Sequence, residues 1–64
     1  MTIYEKVKAL RTKLGYTQEQ FSAILGSNQA TISMMENGYR KPSYDLTQRL
    51  QRLAKKSKIK IAFI

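Results

Sequence analysis

The sequence predicts a mainly α fold of four short helices followed by one C-terminal β-strand. Apolar residues recur at helical spacing in four segments, and a capping residue precedes each of them. Over residues 58–64 the spacing changes to a period of two, which is typical of a half-buried strand. We therefore expect a helical domain over residues 1–57 and a separate terminal strand over residues 58–64.

The first helix is predicted to begin after Thr2, which forms a capping box with Glu5, and to end at Gly15. Its apolar stripe consists of Ile3, Val7, Leu10 and Leu14. Arg11 lies beside this stripe. We expect Arg11 to form a structural ion pair with Glu36, which would fix how this helix packs on the rest of the domain.

Residues 17–38 predict two further helices joined by a tight turn. Thr17 and Gln20 form a second capping box for the helix Gln18–Leu25, and Gly26 ends it. Asn28 can cap the next helix, Gln29–Glu36, which Asn37 and Gly38 stop. Two helices joined by a turn of about four residues that contains Gly form a helix-turn-helix unit.

The packing of these two helices predicts which side chains of the second one face outward. Phe21 and Leu25 lie on one face of the first helix, and Ile32 and Met35 lie on one face of the second. If those faces meet, the outward residues are Gln29, Ala30, Ser33 and Met34. They are uncharged, whereas an ordinary solvated face carries Lys and Glu. A Gln amide can bond adenine in the major groove, and Ala or Met can contact a thymine methyl group. The alternative is an ordinary amphipathic surface helix.

The loop Tyr39-Arg40-Lys41 directly follows this helix and is a candidate for contacts with phosphate; a solvated basic loop is the alternative. Ser43 then caps a fourth helix that extends to about Lys55. Its apolar stripe consists of Leu46, Leu50, Leu53 and Ala54.

The C-terminal strand would place Ile59, Ile61 and Phe63 on one face. One strand cannot pair its own backbone groups, and the chain contains no second candidate strand. We therefore expect the strand to pair with the same strand of a second copy, as a dimerisation element. The alternative is an apolar tail that folds back onto the helices.

The amino-acid composition favours some classes of function and argues against others. The chain has 12 Lys and Arg against 4 Asp and Glu, a net charge of +8 that favours a polyanionic partner. Without Cys or His there are no disulfides and no usual zinc ligands, so we expect no metal or other cofactor. The same lack of catalytic residue types argues against an enzyme and against a small-molecule substrate. No apolar run approaches the ~20 residues of a membrane span and no signal peptide is visible, so we expect a cytoplasmic protein without membrane contact.

Several of these residues resemble the phage Cro/C1-type helix-turn-helix family, also called the XRE family, over residues 7–53. The resemblance is carried by Arg11, the run Thr17–Phe21, Leu25-Gly26, Thr31-Ile32-Ser33, Glu36-Asn37-Gly38 and Pro42-Ser43. It implies a lambda-repressor-like fold and a homodimer that binds double-stranded DNA at palindromic operators, with the second motif helix in the major groove. By resemblance, base recognition falls on Asn28, Gln29, Ala30, Ser33 and Met34. Phosphate contacts fall on Gln18, Thr31 and Asn37, together with the loop Tyr39, Arg40 and Lys41, and the family's ion pair falls on Arg11 and Glu36.

The C-terminal tail departs from that family, whose members typically continue into a fifth helix. Residues 29–33 followed by a terminal strand are similar to the HipB-type antitoxins, whose dimers pair strands from the two chains. This resemblance implies a repressor of its own operon that also binds a toxin protein, commonly a kinase. The serious alternative is a protein-interaction adaptor that uses the motif as a scaffold, with Ile24, Tyr44 and the tail as its partner surface. RNA binding is a weaker alternative, because the four tyrosines are scattered and form no stacking platform.

Overall fold

Four helices make up the regular structure of the chain. A computed structural model describes residues 1–64 and contains α1 (Ile3–Leu14), α2 (Gln18–Leu25), α3 (Gln29–Glu36) and α4 (Tyr44–Lys56). The four predicted helices are confirmed. None of them combines the length and the apolar character that a membrane-crossing helix requires.

Local side-chain contacts fix where the first three helices begin. The predicted capping boxes are both formed, by Thr2 with Glu5 at α1 and by Thr17 with Gln20 at α2. Asn28 caps α3, and its side chain accepts a hydrogen bond from the backbone N–H of Thr31 at 2.9 Å. Each cap pairs a backbone group that the helix itself leaves without a partner.

The core lies where all four helices and the tail meet. α3 packs against both α1 and α2, and α4 packs against α2. The largest fully buried side chains come from every helix: Val7, Leu10, Phe21, Ile32, Met35 and Leu50. Ser22 is buried among them, and its hydroxyl donates a hydrogen bond to the carbonyl of Glu19 at 2.7 Å, so its polar atom is paired within its own helix. This core holds α2 and α3 in a fixed relation.

The prediction of a strand over residues 58–64 is wrong, because these residues form no strand in the structure. The tail instead folds back onto the helices, and Ile61 and Phe63 join the core, with Ile59 packed against it. Two contacts account for this. The amide of Gln51 bonds the tail as a neighbouring strand would, accepting from the Phe63 N–H at 2.7 Å and lying 3.5 Å from the Ile61 carbonyl. A tight turn, in which the Ile61 N–H bonds the Ile59 carbonyl, interrupts the extended backbone.

Candidate nucleic-acid interface

The outer face of α3, which we define as Gln29, Ala30, Ser33 and Met34, is held at the surface by the residues between them. Ile32 and Met35 are 0% exposed and anchor the opposite side of the helix. Gln29, Ala30 and Met34 are exposed, and Ser33 is half-buried. The outer face is therefore available to a partner, and it presents an amide, a hydroxyl and two apolar groups without any charge.

Two polar residues at the ends of α3 are partly committed to its structure. The Oδ1 atom of Asn28 accepts the capping hydrogen bond, which leaves the Nδ2 group for other contacts. At the other end, Nδ2 of Asn37 donates to the hydroxyl of Ser33 at 3.4 Å. Asn37 and Ser33 thus lie side by side at the end of the outer face.

A small polar cleft beside α3 brings together three residues predicted to contact phosphate. Thr31, Arg40 and Lys41 all line this cleft, whose volume is about 170 Å³. The hydroxyl residues Ser27 and Ser43 also line it, one from the turn before α3 and one from the cap of α4. Asp45 and Arg49 line it as well, and their charges are paired with each other at 3.1 Å, so Arg40 and Lys41 leave the cleft with a net positive charge. We call the site formed by Thr31, Arg40, Lys41, Ser27 and Ser43 the cationic cleft. Ser27 and Ser43 were not predicted as site residues, because nothing in their local sequence distinguishes them from ordinary turn and cap residues.

The remaining residues predicted to contact phosphate lie outside the cationic cleft. Tyr39 is 83% exposed, on the loop that leads from α3 to the cleft. Gln18 is half-buried at the start of α2, and its amide nitrogen lies 3.4 Å from Oε1 of Glu36. Asn37 is exposed at the end of α3. The structure therefore distributes these residues around α3 rather than gathering them at one point.

An ion pair joins α1 to the end of α3. The guanidinium of Arg11 bonds both carboxylate oxygens of Glu36, with distances of 2.6 Å from Nε and 3.0 Å from NH2. A third bond, 2.8 Å long, runs from NH1 of Arg11 to the carbonyl of Tyr16. The side chains of Arg11 and Glu36 are only 15% and 4% exposed. The hydrogen bond to Glu36 raises the pKa of Arg11, an effect that burial partly opposes. This pair fixes the C-terminal end of α3 against α1.

The whole chain carries an excess of positive charge, with a net charge of +8. Three of its four carboxylates are engaged within the chain: Glu5 in a cap, Glu36 with Arg11, and Asp45 with Arg49. Little negative charge is therefore left to oppose an approaching polyanion. A neutral helix face beside a cationic, hydroxyl-lined cleft can bond base edges and phosphate oxygens at the same time.

Comparison with known proteins gives one match. The family model described as HTH_3: Helix-turn-helix matches residues 7–64. No curated protein and no solved structure matches the chain.

Proposed function

The chain belongs to the helix-turn-helix family HTH_3 and is a DNA-binding transcription regulator. We propose that it is a sequence-specific repressor that acts as a homodimer on a palindromic operator. The observation that carries this proposal is the uncharged outer face of α3 beside the cationic cleft. Repression follows sterically where the operator overlaps a promoter.

In this proposal the outer face of α3 enters the major groove and selects the bases. Gln29 bonds adenine through its amide, and Ala30 and Met34 contact thymine methyl groups. Ser33 and the Nδ2 group of Asn28 contact neighbouring base edges.

The positively charged and hydroxyl side chains hold the DNA backbone. Thr31, Arg40 and Lys41 bind a phosphate in the cationic cleft, where hydroxyl and cationic groups converge. Gln18, Asn37 and Tyr39 contact phosphates on either side of it. These contacts carry affinity and register, while the outer face carries sequence preference.

The homodimer forms through the backbone edge of the tail that the chain leaves unpaired. Gln51 covers the edge at Ile61 and Phe63, whereas beyond the turn at residues 59–61 the backbone groups of Ala62 and Ile64 make no hydrogen bond within the chain. Two such edges can pair antiparallel about a twofold axis, which satisfies these groups. The side chains of Ile59, Ile61 and Phe63 contribute by holding each tail on its helices. Such a dimer would present its two α3 helices to half-sites about 34 Å apart.

Base recognition can be separated from phosphate binding by two substitutions. On a duplex selected from random sequence by the protein itself, Gln29→Ala should weaken binding by about 1–3 kcal/mol and relax preference at one base pair. On an unselected duplex the same variant should bind nearly as well as the parent. Lys41→Ala should weaken both complexes alike and reduce the slope of log affinity against log salt by about one. An equal loss for Gln29→Ala on both duplexes would contradict base recognition, and a flat salt response would favour the adaptor.

The dimer is tested at Ala62, whose side chain is exposed and whose N–H is unpaired. Ala62→Pro removes that N–H, so we expect sedimentation to show a monomer. Ala62→Ser keeps the N–H and is the matched control, which should remain a dimer. A dimer of unchanged affinity with Pro at this position would exclude pairing through the tail.

The proposal extends to an antitoxin role, which is supported by the resemblance of residues 29–33 to the HipB-type antitoxins, and not by the tail, which forms no strand. A reading frame for a kinase-like toxin next to this gene, and a complex of the two products on coexpression, are the expected results. If the neighbouring frames encode no toxin, the repressor proposal stands without this role.

A further inference from the structure

The groove between α2 and α4 is an open surface next to the cationic cleft; Leu25, Gly26 and Arg49 line both, whereas Ile24, Arg52, Leu53 and Lys56 line the groove alone. Its volume is about 450 Å³, and no residue of α3 or of the loop after α3 lines it. The floor is apolar and includes Ile24, which is 47% exposed, and Leu53. The rim is formed by three cations, Arg49, Arg52 and Lys56. We call this surface the α2–α4 groove.

The positive rim of the α2–α4 groove is largely uncompensated. Arg52 and Lys56 form no ion pair within the chain, and no carboxylate lines the groove. Arg49 does pair with Asp45, at 3.1 Å on the exposed side of α4, where such a pair contributes little. A partner that brings carboxylates would therefore meet at least two unpaired cations.

A hydrogen bond joins the two helices at one wall of the groove. Arg49 NH1 donates to the carbonyl of Leu25, the last residue of α2, at 2.9 Å. A Cβ atom at residue 26 would lie 2.6 Å from the same nitrogen, so the Arg49 side chain would have to shift if residue 26 were not Gly. The backbone at Gly26, with φ of 67°, also disfavours any other residue. The turn that joins the two motif helices thus also forms part of the groove wall.

We propose that the α2–α4 groove docks an acidic amphipathic segment of a protein partner, with apolar side chains on Ile24 and Leu53 and carboxylates on Arg52 and Lys56. Nucleic acid fits this surface less well, because phosphates gain nothing from an apolar floor. A second copy of this chain is a poor occupant of the groove, because Glu19 is its one side-chain carboxylate that is not engaged in a cap or an ion pair, whereas the groove offers two unpaired cations. The occupant that we propose is therefore a different, acidic chain.

The test uses a synthetic amphipathic helix whose apolar face is Leu and whose polar face is Glu, titrated into isotope-labelled full-length protein. We expect saturable shifts of the amide resonances of Ala23, Ile24 and Leu53. A peptide of the same charge with Ser in place of Leu should bind at least about tenfold more weakly, because the apolar floor contributes to affinity. Equal binding of the two peptides, or shifts centred on the cationic cleft, would overturn the proposal.

Charge-reversal variants of the protein provide a second test of the docking site. Arg52→Glu/Lys56→Glu should weaken binding of the Glu peptide by at least about tenfold and create binding to a peptide with Lys in place of Glu. Lys8→Glu/Lys13→Glu changes the net charge equally on exposed positions of α1 and should leave the site-specific shifts intact. If both double variants lose binding equally, attraction to net charge alone explains it and the groove is not the site. DNA affinity is measured in parallel, so a failed docking site and a failed repressor remain distinguishable.

Discussion

Phe63→Ala tests whether the tail belongs to the core. Phe63 is 8% exposed and its N–H bonds Gln51, whereas Ile64, the next residue, is 75% exposed. Truncating a buried Phe to Ala typically costs about 3–5 kcal/mol, and relaxation at the chain end favours the lower figure. A chain of 64 residues has a total unfolding free energy of only about 3–10 kcal/mol. We therefore expect Phe63→Ala to lower the melting temperature by about 12–24 °C.

Ile64→Ala is the matched control, because it truncates a neighbouring aliphatic side chain that the core does not contain. Its effect should stay within about 0.5 kcal/mol. Thermal and urea unfolding, followed by circular dichroism at a concentration where sedimentation shows a single species, measures both variants. If the two substitutions lowered stability equally, or if Ile64→Ala lowered it more, the tail would not be docked on the core through Phe63. It would then be either loose or buried through its other face.

Three further predictions concern single residues. Glu36→Gln should lower the unfolding free energy by about 3 kcal/mol, because it leaves the mostly buried charge of Arg11 without its partner. The double variant Arg11→Met/Glu36→Met should recover most of that loss, as measured by urea denaturation. Lys58, with φ of 58°, occupies a left-handed position where Gly is favoured, so Lys58→Gly should stabilise the protein by about 1 kcal/mol in a thermal melt, and a lower melting temperature would contradict this. The hydrogen bond from the backbone N–H of Thr2, followed by the one to the Thr2 side chain, lowers the pKa of Glu5 below its usual value. Because the pKa of Glu5 is lower in the folded state than in the unfolded state, the parent protein should be more stable than Glu5→Gln near neutral pH, and this difference should disappear as the pH falls through the lowered pKa. A difference in stability that persists in acid would contradict this.

The helices could be predicted from the sequence because their signals are local. A capping box is complete within four consecutive residues, as at Thr17 and Gln20, so it does not depend on the rest of the fold. Gly26 ends α2 in the left-handed conformation for the same local reason. Only the end of α4 differs from the expectation, since it extends to Lys56 rather than about Lys55.

The tail could not be predicted in the same way, because its partner is distant in sequence. A period-two pattern indicates that one face of a segment is buried, and it carries no information on what covers that face. Here the cover is the chain's own core, and the deciding contact comes from Gln51, which lies in a strongly charged part of α4. The contact of Arg49 with the end of α2, 24 residues away, also escaped prediction, because nothing in either segment indicates it. The Arg11–Glu36 pair spans 25 residues and was expected, because the position of Arg11 beside the apolar stripe and the family resemblance both pointed to it.

In α3, the residues that position the helix are different from the residues that would contact the bases. Ile32 and Met35 are fully buried and set the position of the helix, while Ala30 and Met34 are exposed. A substitution on the outer face therefore alters the groups offered to a base without moving the helix that offers them. A substitution at Ile32 would shift the whole outer face at once, so we expect it to abolish selective binding, whereas changes at Ala30 should exchange one base preference for another.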